Sequence, residues 1–138
     1  MANKFNPTKL NATTSHLIPC KIDQNKKVSF NFSFLIDSDN FCYTKKEANY
    51  LITLIERFSS LSQMKRMEII TSKSPSLRCH RIDWSGVSED SFGIINEEIC
   101  DDAYQISVSS NKHGRIHGFF IEDVFYVRWL DPDHILYS

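Results

Sequence analysis

The clearest pattern along the chain is the strict alternation of apolar and small polar residues from Val28 to Phe34. Successive side chains of a strand point to opposite faces, so this run predicts a β-strand with one buried face. Turn-forming residues occupy positions 37–40 and indicate where the extended segment ends.

A helix is predicted next, beginning at residues 44–47. The sequence Thr-Lys-Lys-Glu has the pattern of a capping box, in which the hydroxyl and carboxylate bind free amide groups of the first turn. Apolar residues then recur at spacings of three and four, which predicts one buried helical face made of Ala48, Leu51, Ile52, Ile55 and Phe58. We expect the helix to end near Ser59-Ser60 or just beyond, at Leu61.

The middle of the chain permits more than one interpretation. Residues 64–70 suit either a second short helix or a strand, and residues 77–84 suggest another strand before a turn at Ser85-Gly86. A further helix is favoured over residues 88–100, although Gly93 opposes it.

Three successive strands are predicted between Tyr104 and Tyr137, because β-branched and aromatic residues dominate runs that turn residues separate. A turn follows the last strand at Asp131-Pro132, and we expect the Asp131 carboxylate to cap it. The sequence therefore predicts an α+β fold, a small antiparallel sheet with a C-terminal three-stranded meander packed by one or two helices.

The register of the last two strands predicts two different faces. With a hairpin turn at Glu122-Asp123, His117 lies opposite Arg128, and Arg115 lies one step further along the same face. The other face is apolar and contains Ile116, Phe120, Phe125, Val127 and Trp129. We therefore expect one buried face and one polar face.

The polar face collects residue types that suit phosphodiester chemistry. A three-residue loop at 112–114 would bring Gln105, Ser107 and Ser109 of the preceding strand onto it. Guanidinium groups bind phosphate in a fork, imidazole titrates near neutral pH, and tyrosine stacks on a base. The alternative interpretation is that an antiparallel sheet simply leaves one face in water, with ordinary solvated side chains.

Charge is unevenly distributed in a chain whose net charge is only -1. Residues 44–81 contain eight Lys or Arg against three acids, whereas residues 82–102 contain seven acids and no Lys or Arg. A basic segment favours contact with phosphate or an acidic partner, while the acidic segment could cover it within the fold or meet another protein.

The 138 residues suit a single α+β domain at 26–138, preceded by a loosely ordered N-terminal arm at 1–25. No window is apolar over the length of a membrane span, and no targeting pattern opens the chain, so we expect a cytoplasmic protein that does not enter membranes. The four cysteines are scattered, and His113 and His117 flank a hairpin loop. We therefore expect no metal site and no cofactor.

The order strand, helix, second helix and C-terminal meander resembles the RelE/ParE toxin superfamily. The local likeness runs from Gly114 to Tyr137 and ends in His134-Ile135-Leu136-Tyr137, which is similar to that family's His-and-Tyr tail. The resemblance implies a metal-independent endoribonuclease that acts on RNA and pairs with an antitoxin-like protein.

The residues that the resemblance carries over have three roles. They are Arg115 and Arg128 on the scissile phosphate, His117 or His134 as general base or acid, and Tyr126 or Tyr137 stacking on a base. Ser107 and Ser109 are further substrate-binding candidates on the same face. The alternative function is a non-catalytic protein- or nucleic-acid-binding module of a defence, phage or mobile-element system, which would meet a protein through residues 82–102.

Overall fold

The computed structural model describes residues 25–94, 102–110 and 112–137. The helices are α1 (Ala48–Leu61) and α2 (Arg66–Thr71), and the strands are β1 (Ser29–Asn31), β2 (His80–Arg81), β3 (Ala103–Ser107), β4 (Arg115–Ile121) and β5 (Val124–Asp131), with a 3-10 helix at Trp84–Gly86. The N-terminal arm predicted at 1–25 lies outside the described residues, apart from Asn25. Within the described ranges, no helix has the length and apolar character that crossing a membrane requires.

The five strands form one sheet in the order β1-β5-β4-β3-β2. Strands β3, β4 and β5 form the predicted antiparallel meander, and β2 extends it at one edge. The predicted α+β class is therefore confirmed. The sheet is mixed rather than purely antiparallel, because β1 runs parallel to β5 at the other edge.

A β-bulge in the β4–β5 ladder changes the predicted register. The pairing follows the prediction from the turn as far as Gly118, but His117 then lies opposite Trp129 instead of Arg128. A one-residue shift exchanges the two faces of a strand. Trp129 accordingly leaves the face of Ile116, and its predicted place in the first apolar face is wrong.

The register between β3 and β4 places the same residues on one face of the sheet as predicted. Gln105 lies opposite His117, and Ser107 lies opposite Arg115, so all four belong to one face of the sheet. The connection is longer than the predicted three residues, since the strands are separated by residues 108–114.

Both faces of the sheet are buried. On one face, α1 and the sheet form a first core that includes Tyr50, Leu54, Leu61, Ile106, Ile116, Phe120 and Phe125. On the other face, the segments at 34–41 and 82–94 supply aromatic side chains to a second core, made of Phe41, Ile82, Phe92, Ala103, Phe119, Trp129 and Leu136. The face predicted to be polar is thus largely a second hydrophobic core.

Helix α1 begins later and is rotated relative to the prediction. Its N-cap is Glu47, with no side-chain cap, and the Thr44 hydroxyl instead donates to Asp37 Oδ2 at 3.0 Å. The buried helical face carries Tyr50, Leu54 and Leu61. The predicted face is wrong, because Leu51, Ile52 and Ile55 are 41, 56 and 66% exposed.

Several predicted elements are shorter than the sequence pattern indicates. Strand β1 ends at Asn31, whose side-chain oxygen accepts the amide of Ser33 at 2.8 Å in place of a ladder partner. The strand predicted at 77–84 is reduced to His80–Arg81, and the helical alternative for residues 64–70 is realised as α2. No helix occurs at 88–94, and the rest of the helix predicted at 88–100 lies outside the described residues.

Candidate functional site

His117 lies on the predicted face but cannot reach a ligand, because its side chain is fully buried. Its Nε2 donates to Gln105 Oε1 at 2.9 Å, while Nδ1 has no partner among the described residues. Burial first, and then the nearby charges of His134 and Arg115, lower the pKa of His117 to about 3. The ring is therefore a neutral core residue, and the prediction that it belongs to an accessible site is wrong.

Arg128 is half-buried and bound to backbone. Its Nε donates to the carbonyl of Phe92 at 3.0 Å, and its Nη1 donates to the carbonyl of Phe34 at 2.9 Å. These bonds tie the segments that carry the second core to β5. The guanidinium therefore has a structural role, which corrects the expectation that it lies beside His117 on an open face.

The four predicted substrate-binding residues are packed or bonded within the fold. The Tyr126 ring stacks on Phe119 with centroids 5.2 Å apart, and the Tyr137 hydroxyl accepts the amide of Asp83 at 3.0 Å. Ser107 is fully buried, and the Ser109 hydroxyl donates to the carbonyl of Lys112 within the β3–β4 loop. The predicted grouping is wrong because the second core covers this face and the bulge alters the register.

Two of the predicted catalytic residues, Arg115 and His134, do line a common cleft at the end of the sheet. We call it cleft A; it has a volume of about 460 Å³, and its lining includes Arg78, Lys112, His113, Arg115, Asp133 and His134. Three separate segments meet here, namely the loop before β2, the β3–β4 loop and the turn after β5. Sequence reasoning missed three of these side chains, Arg78, Lys112 and His113.

Cleft A is strongly cationic. Asp133 is the one carboxylate among the described residues that line it, and this group already pairs with Lys46 at 2.8 Å. Burial first, and then the charge of Arg78, lower the pKa of Arg115, while Asp131 opposes the change, and a guanidinium stays protonated at neutral pH. The basic side chains Arg78, Lys112 and Arg115 therefore outnumber the single carboxylate that lines the cleft.

Arg115 has an unused donor in this cleft. Its Nη1 donates to the carbonyl of Gly114 at 3.1 Å, but its buried Nε has no partner in the described part of the chain. An unpaired buried donor is unfavourable, and more so on a charged group. The Nε–H itself is buried, so an anion in cleft A would meet the outer part of the guanidinium.

The surroundings of His134 favour its neutral imidazole, the form that accepts a proton. Burial first, and then Arg115, lower its pKa, while Asp131 opposes the change. Asp131 also fixes the turn that carries His134, since its carboxylate accepts the amides of Ile135 at 2.7 Å and Leu136 at 3.0 Å. The prediction that Asp131 caps this turn is confirmed.

The backbone around cleft A is strained. Of the four non-glycine residues with positive φ in the described ranges, Arg78 (44°), His113 (69°) and His134 (57°) line this cleft. Side chains rarely adopt this conformation, which costs about 1–3 kcal/mol per residue, and such strain concentrates at functional sites. Three strained residues in one cleft make it the strongest candidate site of the molecule.

The described residues contain no candidate metal site. Across the described residues, no three His, Cys, Asp or Glu side chains come together in a group able to hold a metal ion.

Comparisons of the chain with protein-family models, with curated proteins and with solved structures each gave no match. What supports a function is therefore the geometry of cleft A together with the sequence resemblance.

Proposed function

We propose that the chain binds single-stranded RNA by its phosphodiester backbone in cleft A. The observation that carries the proposal is the meeting of Arg78, Lys112 and Arg115 in one cleft whose described lining contains a single carboxylate. Cations placed together repel one another unless an anion joins them. Phosphate matches the guanidinium fork, and single strands present their phosphates to such grooves.

The likeness to RelE/ParE toxins favours RNA as the polymer, and it extends the proposal to cleavage. In that finer form, His134 accepts the proton of a ribose 2′-hydroxyl as its oxygen attacks the adjacent phosphorus. The bond from phosphorus to the 5′-oxygen breaks, and water protonates that oxygen, which leaves a 2′,3′-cyclic phosphate and a 5′-hydroxyl. Arg78 and Arg115 stabilise the charge that develops on the phosphate.

Arg115→Gln is expected to weaken binding of a single-stranded RNA about tenfold or more, because it removes a charged donor to phosphate. It should also reduce the salt dependence of log K by about 0.7 for the lost phosphate contact. Fluorescence anisotropy at several salt concentrations measures both quantities. Lys73→Gln is the matched control, since Lys73 is an exposed cation outside cleft A. Equal affinities and equal salt slopes for the two variants would refute binding in cleft A.

His134→Asn tests cleavage separately from binding. Asparagine tolerates the positive φ of this position, so the turn should survive while the proton acceptor is lost. We expect cleavage of RNA to fall about 100-fold or more, with binding nearly unchanged and with no effect of a metal chelator on the parent protein. Labelled RNA resolved on a gel reports the rate. Binding without any cleavage by the parent protein would instead support the non-catalytic nucleic-acid-binding alternative.

Protein binding through the acidic segment 82–102 stays a hypothesis. Residues 95–101 of that segment lie outside the described residues. Asp102, which is described, forms ion pairs with Arg66 at 3.2 Å and Arg81 at 3.3 Å within the fold. These two pairs support the interpretation that the acidic segment partly covers basic side chains of the same chain.

A further inference from the structure

A second cleft, which we call cleft B, adjoins cleft A at the start of α1. It has a volume of about 430 Å³, and its lining includes Lys45, Lys46, Asn49, Tyr50, His113 and Pro132. His113 and Pro132 also line cleft A, so the two clefts share a wall. The two clefts are therefore adjacent, with His113 and Pro132 between them.

Tyr50 lines cleft B and carries a buried hydroxyl. Its side chain is only 5% exposed, and its hydroxyl has no hydrogen-bond partner within the described ranges. Burial first, and then the charges of Asp131 and Asp133, raise the pKa of Tyr50, so the hydroxyl keeps its proton. Buried polar groups are normally paired, which makes this hydroxyl a candidate contact for a ligand oxygen.

Lysines outnumber carboxylates among the residues that line cleft B. Lys45 and Lys46 line it, and Glu47 is its one carboxylate among the described lining residues. Lys46 pairs with Asp133 of cleft A at 2.8 Å, and the two side chains are 33 and 59% exposed. An exposed ion pair is weak, so a phosphate at the junction of the two clefts can replace Asp133 as the partner of Lys46.

We infer that cleft B holds the nucleotide adjacent to the one in cleft A, and that the ligand is a polynucleotide strand with at least two consecutive phosphates. This inference rests on the proposed function, since it places the same RNA strand in both clefts. The phosphate in cleft B is contacted by Lys45 and Lys46, and the Tyr50 hydroxyl donates to an oxygen of the phosphate or sugar. A mononucleotide fills cleft A alone and gains nothing from these three side chains.

The test compares ligands of two lengths. The probes are uridine 3′-monophosphate and a 2′-O-methyl hexauridylate, which cannot be cleaved because its 2′-oxygens are blocked. Tyr50→Phe removes one hydroxyl and keeps the buried ring, and it should weaken the hexamer about fivefold without changing binding of the mononucleotide. Lys45→Gln should lower the salt slope for the hexamer by about 0.7, whereas Lys73→Gln should leave it unchanged.

The possible results distinguish failure of the cleft B subsite from failure of RNA binding in cleft A. If the hexamer binds and depends on Arg115, but Tyr50→Phe and Lys45→Gln both bind like the parent protein, cleft B is not a subsite while cleft A stands. If the hexamer does not bind the parent protein, both ideas fail. If polyglutamate of equal charge displaces the hexamer as well as unlabelled hexamer does, the preferred ligand is an acidic peptide, and the nucleotide subsite is refuted.

Discussion

Gly118→Ala is expected to destabilise the fold by about 3 kcal/mol or more, a large part of the stability of an ordinary domain. A Cβ atom at Gly118 would lie 2.1 Å from the carbonyl oxygen of Tyr126 and 2.6 Å from the ring of Phe125. The first neighbour is backbone of β5, so relief of the clash requires the β4–β5 ladder to open beside the bulge. Urea unfolding followed by circular dichroism measures the change.

Gly86→Ala is the matched control for this prediction. A Cβ atom there would meet nothing closer than Asp83 Oδ2 at 3.7 Å, an ordinary contact. We expect its free energy of unfolding to stay within about 0.5 kcal/mol of the parent value. Similar losses of stability in the two variants would contradict the tight packing assigned to Gly118.

The protein is expected to lose stability as the pH is lowered, because His117 is buried in its neutral form. The pKa of His117 is about 3 in the folded chain, against an ordinary value of 6.5. Between these values the unfolded chain binds a proton that the folded chain does not, so stability falls as the pH is lowered from 6.5 towards 3. The shift sets an upper limit of ~5 kcal/mol for this loss.

His117→Gln should flatten this pH dependence, because glutamine can donate to Gln105 but does not titrate. Asp131 acts in the opposite direction, since burial raises its pKa and the folded form then holds a proton above pH 3.8 that the unfolded form has lost. Asp131 Oδ2 lies 4.0 Å from His117 Nε2, so the difference between parent and variant reports the loss of the titrating ring together with its effect on Asp131. Parallel curves of unfolding free energy against pH would show that burial of a neutral His117 is not a source of acid sensitivity.

The C-terminal meander could be predicted because its strands alternate regularly and its turn at Glu122-Asp123 is short. The bulge could not be placed from the pattern, although Gly118 marks the point where it occurs. A glycine inside a strand often indicates a bulge or a close approach of backbone. That single irregularity separated Arg128 from His117 and placed Trp129 in the second core.

The burial of the second face was not predictable from local patterns. It depends on aromatic residues distant in sequence, such as Phe41 and Phe92, packing against Trp129 with ring centroids 4.4 and 5.1 Å apart. The prediction of the buried face of α1 was wrong for a related reason. Apolar residues surround much of the helix, so two different faces fit helical spacing. Tyr50 and Leu54 are on the buried face because they pack in the core with residues of the sheet.

Part of the lining of cleft A could not be predicted, because loops from separate parts of the chain form it. Arg115 and His134 were found as members of the C-terminal segment, whereas Arg78 comes from a loop that precedes β2. The basic character of residues 44–81 was visible, but charge along a sequence does not reveal which loops meet in space. Positive φ at Arg78 and His113 is likewise a property of the folded chain alone.

The central claim, that RNA phosphates bind in cleft A, is tested most directly by the arginine side-chain Nε–H signals in ¹H–¹⁵N spectra of the labelled protein. On addition of the 2′-O-methyl hexauridylate, we predict that the Arg115 signal shifts, because a phosphate bound at the guanidinium changes the surroundings of its Nε–H. The Arg128 signal should stay constant, because its Nε–H remains bonded to Phe92. A shift of Arg128 with Arg115 unchanged, or no shift of either at saturating RNA, would contradict the account.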